Sequence, residues 1–124
     1  MKFKLLTFNN TPSATKEALL DIADNHFHSI DPSNNKEVFA ISRGIARWLL
    51  HNCQHETPEA KDIRKIATLT YEYNKHGAKK SWPKKPVVID VDNAIIRDWV
   101  ARLYAIAHAS TGVCMPVDFI EESV

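Results

Sequence analysis

Apolar residues recur at helical spacing in four segments of this chain, and three short segments favour strand. Over residues 12–29, Ala18, Leu19, Ile22, Ala23 and Phe27 fall on one side of a helix, and the row runs on to Ile30. Over 36–54, Val38, Ile41, Ile45, Trp48, Leu49 and Asn52 line one face, widened by Phe39, Ala46 and Leu50. Over 58–76 the face is Ile63, Ile66, Ala67, Thr70 and Tyr73, with Tyr71 off the stripe and Lys75 and His76 in the last turn. Over 92–110 it is Ile95, Ile96, Trp99, Val100, Leu103, Ile106 and Ala107, with Asp92 as cap and Asp98 paired to Arg102. Three boundaries carry a capping residue before proline: Thr11-Pro12, Asp31-Pro32 and Thr57-Pro58.

Residues 87–91 are β-branched and bounded by Pro86 and Asp92, residues 2–8 alternate weakly, and 117–120 offers a third strand. The expected fold is mainly α (α+β): four amphipathic helices with a small two- or three-stranded β element. That element joins the N-terminus to 87–91, and the whole forms a single domain over residues 1–124. Trp48 and Trp99 are expected in the core, and the broad apolar faces of the second and fourth helices leave room for a homodimer.

Charge changes the picture. Residues 1–74 hold nine basic and nine acidic side chains, residues 75–85 hold five and none, and residues 86–124 hold two against six. A net charge of +1 therefore covers a local +5 beside a local −4. The basic segment, with Lys75, Lys79, Lys80, Trp82, Lys84 and Lys85, combines cations that attract phosphate with an indole that can stack on a base. Arg43, Arg47, His51 and His55 step by four along the second helix and its exit, forming a basic ridge with Glu37 as the one acid nearby. These residues are the expected partner-binding site, for DNA or RNA or for an anionic protein surface.

Other chemistry is thinly represented. The three glycines are too far apart for a phosphate-cradling loop. Cys53 and Cys114 read as free buried thiols, and the His51/His55 pair lacks further ligands at metal-site spacing. No cofactor, metal or catalytic residue is expected. No stretch suits a signal peptide or a membrane span, so a cytoplasmic protein that does not bind membranes is expected.

Arg102 and His108 show an Arg-x5-His spacing loosely similar to the ribonuclease motif of HEPN-type helical domains. That resemblance implies a metal-independent RNase in which the arginine steadies phosphate and the histidine moves a proton. Leu103 departs from it, standing where a polar residue is usual. The leading expectation is a non-enzymatic, nucleic-acid-associated regulator. The alternative is an inhibitor or immunity protein of phage or mobile-element type that blocks a protein or protein–nucleic acid complex.

Overall fold

The computed structural model describes residues 4–8, 11–25, 28–31, 36–76 and 85–121. Among them, four helices and two small three-stranded sheets make an α+β fold. The elements in order are α1 (Lys16–Asn25), β1 (His28–Asp31), β2 (Lys36–Ile41), α2 (Arg43–Asn52), α3 (Ala60–His76), β3 (Val87–Asp90), β4 (Ile95–Asp98), α4 (Val100–His108), β5 (Val113–Met115) and β6 (Val117–Ile120). No helix among the described residues is long and apolar enough to cross a membrane.

The helix starts are set by side-chain oxygens rather than by the prolines. Thr15 Oγ1 accepts the Ala18 N–H (3.1 Å) to open α1, and Ser42 Oγ accepts the Ile45 N–H (3.2 Å) to open α2. Asp62 Oδ2 reaches back to the Glu59 N–H (2.9 Å) at the start of α3. Each helix is accordingly shorter than its periodic pattern.

Three expected helical stretches are strands, the first being residues 28–31, where the end of the 12–29 pattern forms β1 against β2. Residues 36–41 form β2, which pairs antiparallel with β1 and with β5 (Phe39 opposite Met115, Ile41 opposite Val113). An apolar run such as Val38-Phe39-Ala40-Ile41 fits either period, and pairing on both edges decides for strand. Residues 92–99 do not begin the fourth helix. The buried Asp90 carboxylate accepts the N–H groups of Asp92 (3.0 Å) and Asn93 (3.1 Å) and the Asn93 side chain (2.9 Å). It thereby builds a tight turn through Ala94 (φ 53°), and β4 folds back on β3. Trp99, at φ 64°, then redirects the chain into α4. Asp98 thus lies outside the helix, and the expected Asp98–Arg102 pair is replaced by other Arg102 contacts.

The expected sheet between the N-terminus and 87–91 is also corrected. Residues 4–8 carry no strand, and β3 pairs antiparallel with β4 and parallel with β6. Pro116, lacking an N–H, separates β5 from β6 and lets the last strand pass from one sheet to the other. The N-terminal segment is held instead by Leu6 N–H donating to His108 Nε2 (3.0 Å) and by Phe8 packing edge-on against Tyr104.

α4 is the centre of the core. Arg102 through Ala107 are all buried, so this helix is covered on every side, with α2 and α3 packed on it. Leu103 and Ile106 are fully buried, each stabilising the fold by roughly 1.5–3 kcal/mol. Leu50, Ile66, Val87, Ile89, Val113 and Met115 close around them.

Candidate nucleic-acid interface

The basic ridge of α2 divides in the folded chain. Arg43 and His51 are exposed, and Arg43 makes no ion pair among the described residues. Arg47 is exposed too, but its Nε donates to the Ala107 carbonyl (2.9 Å), placing a cation at the C-terminal end of α4 where the helix dipole favours it. His55 does not share the ridge. It is 6% exposed, its ring nitrogens face the carbonyls of Leu50 and Glu56 at 3.0 Å, and Tyr104 packs edge-on against it. The reason lies in the chain beyond α2. Gln54 is pinned to the β3–β4 hairpin by Gln54 N–H to Ala94 O and Ile96 N–H to Gln54 O, both 2.8 Å, which turns the next residue inward. Trp48, expected in the core, is 37% exposed at a cleft with Ala18, Ile22 and Ile45.

The turn after α4, residues 109–112, joins the basic part of α2 to the basic end of α3. Asn74 Oδ1 accepts from the Ser110 N–H (2.7 Å) and from Ser110 Oγ (3.0 Å), and Thr111 Oγ1 donates to the Tyr73 carbonyl (3.3 Å). On the other side Gly112 lies against the entry of α2. A Cβ there would stand 3.3 Å from Ile41 O, closer than such contacts ordinarily run. Arg43 and Lys75 each follow by one residue a position held to this turn. Segments some thirty positions apart in sequence thus converge on one short loop.

Three of the C-terminal acids are engaged elsewhere. Asp90 pairs with Arg97 Nη2 (2.9 Å). Burial pushes its carboxyl up, but the hydrogen bonds from Asn93 and Arg97 outweigh this and hold it below the ordinary range. Asp92 (2.9 Å) and Glu121 (3.5 Å) both meet Lys16. Lys75 instead stands over the Tyr71 ring, 5.7 Å from its centroid. Lys85 is exposed, and its carbonyl accepts from Arg102 Nη1. Lys79, Lys80, Trp82 and Lys84 lie outside the described residues.

The remaining candidates sit in structural settings. Arg102 is 4% exposed and stacks on Trp99 (4.1 Å), leaving Nη2 without a hydrogen bond. His108 is bound to Leu6, and six residues at about 100° each turn it and Arg102 about 120° apart around α4. Burial, and then the Arg47 charge, lower the His108 pKa. Burial raises the Cys53 thiol to about 12, and Cys53 and Cys114 are both free. Among the described residues no group of three His, Cys, Asp or Glu side chains could hold a metal ion.

Sequence patterning put Tyr71 off the apolar stripe of α3, where it is 61% exposed, but did not reveal the exposure of Trp48 or the cations aligned with Tyr71 on α3. Comparison with known protein families, with curated proteins and with solved structures returns no match.

Proposed function

We propose that this chain is a non-enzymatic, nucleic-acid-associated regulator that binds the phosphate backbone through the face around the 109–112 turn. The observations that support this reading are that the exposed Arg43 and Lys75 each follow by one residue a position held to that turn and that Arg47 bonds the end of α4 just before it, while Asp90, Asp92 and Glu121 engage Arg97 and Lys16. Cations left facing water release counterions when they meet phosphate, which gives affinity without base specificity. The lysines at 79, 80, 84 and 85 follow α3 directly in the chain and add to the same charge.

The test is a gel-shift and anisotropy series against DNA and RNA at rising salt. Replacing Lys79, Lys80, Lys84 and Lys85 together by alanine is expected to abolish binding, and Arg43→Ala to weaken it for every sequence alike. Wild-type protein with no salt-sensitive binding to either nucleic acid ends this reading. A second reading, an inhibitor that blocks a protein complex, is favoured by the half-apolar cleft beside Trp48. Nuclease-resistant co-purification with one protein, lost in Trp48→Ala, would select it.

A further inference from the structure

The outer face of α3 carries a row of side chains that begins well away from the 109–112 turn and reaches it only at Lys75. Lys61, Arg64, Thr68, Tyr71 and Lys75 follow at intervals of three, four, three and four residues. At about 100° per residue they fall within about 80° of arc, on a line about 21 Å long. All five are exposed, whereas Ile66, Thr70 and Tyr73 are buried on the side facing α4.

Two acids border the row. Glu59 meets Lys61 at 3.5 Å at its N-terminal end, and Glu72 is turned to His76 at 3.5 Å. The positive charge is therefore least compensated at Arg64 and Lys75, neither of which has an ion pair among the described residues. Between them Tyr71 is 61% exposed, the most open of the large apolar side chains among the described residues, with the Lys75 ammonium over its ring. A ring held in water and flanked by cations is what an unpaired base stacks upon. In a duplex the base faces are already stacked on one another, so the same ring would find only sugar and phosphate.

We propose that this face of α3 binds single-stranded nucleic acid, with Arg64 and Lys75 on phosphates and Tyr71 stacked on a base. The inference rests on the reading that the partner is nucleic acid, and it adds strandedness and a stacking residue to it.

Anisotropy of the full chain with three probes tests it: an oligo-dT of about 12 nucleotides, a duplex of the same length, and an abasic strand with the same phosphates. The oligo-dT is expected to bind more tightly than the abasic strand and the duplex. Tyr71→Ala should weaken oligo-dT binding about 5- to 100-fold, to the abasic level, while Tyr71→Phe retains it. Arg64→Ala should weaken oligo-dT and abasic strand equally and reduce the salt slope by about one.

If Tyr71→Ala leaves oligo-dT binding unchanged, or the duplex binds best, the α3 inference falls while nucleic-acid binding stands. Competition by heparin as strong as by oligo-dT also overturns it, since heparin offers charge without bases. A wild-type chain that binds none of the three probes removes the α3 inference, and one that also binds no RNA removes both readings. Because Tyr71 lies in solvent, an unchanged melting midpoint for its variants ties any loss to contact rather than to folding.

Discussion

The outer faces of α2 and α3 both carry regularly spaced cations, yet the fold treats them differently. On α2 the row is partly consumed: Arg47 is bonded to the Ala107 carbonyl, and the histidine that continues the row, His55, is folded under Tyr104. On α3 the row stays in water for about four turns, with Arg64, Tyr71 and Lys75 exposed. Length and neighbours account for the difference. α2 has ten residues, and its exit is tied to the β3–β4 hairpin through Gln54. α3 has seventeen and is packed on α4 along one side. The basic row of a short helix with a tied exit is partly taken up by structure, whereas the outer face of a longer helix packed along one side stays in water.

The largest effect that would sharpen this contrast is on stability. His55→Ala removes a ring packed on Tyr104 and a hydrogen bond from that ring to a backbone carbonyl, and is expected to cost about 2–4 kcal/mol in urea unfolding. Arg64→Ala on the α3 row should stay within about 0.5 kcal/mol in the same assay. Comparable losses from the two would break the contrast. Arg47→Ala is intermediate: about 1 kcal/mol of stability from its half-exposed hydrogen bond, together with weaker binding, is the signature of a residue serving both purposes.

A subtler effect appears in the pH dependence. The His108 pKa is lowered in the fold, first by burial and then by the Arg47 charge, relative to its ordinary value of 6.5. Between the two values the unfolded chain binds the extra proton, so stability rises with pH and begins to be lost as pH falls below about 6.5. Protonation there also removes the acceptor for the Leu6 N–H. Arg47→Ala should bring the folded pKa closer to the ordinary one and flatten this slope, and His108→Gln should remove it. A slope indifferent to Arg47 would show that its charge does not reach His108. The smallest expected change is Thr68→Ala, neutral in stability and in binding, because Thr68 lies on the α3 row without charge or ring.

Much of the helical layout was legible because α3 and the later part of α4 keep an apolar face that local spacing reveals: Ile66, Thr70 and Tyr73 in one, Leu103, Ile106 and Ala107 in the other. The strands were less so. Ile95 and Ile96 stand at helical spacing from Trp99 and Leu103, and only the Asp90 carboxylate on the amides of Asp92 and Asn93 turns that stretch into a hairpin. The site was legible in its charges and obscure in its membership. Arg43, Arg47, His51 and Lys75 are exposed, but nothing in the local pattern of His55 marks it as buried, because Tyr104 reaches it through tertiary packing and the β3–β4 hairpin fixes the chain that brings the Leu50 and Glu56 carbonyls to its ring.

The sequence by itself determined where helices could form, which residues could cap them, and that cations and carboxylates are segregated along the chain. These properties depend on near neighbours and on composition. Which opposite charges meet was decided only in three dimensions: Asp90 finds Arg97 across a hairpin, and Asp92 and Glu121 find Lys16 from the far end of the chain. Coulomb attraction depends on distance through space, and packing sets that distance without regard to separation in sequence.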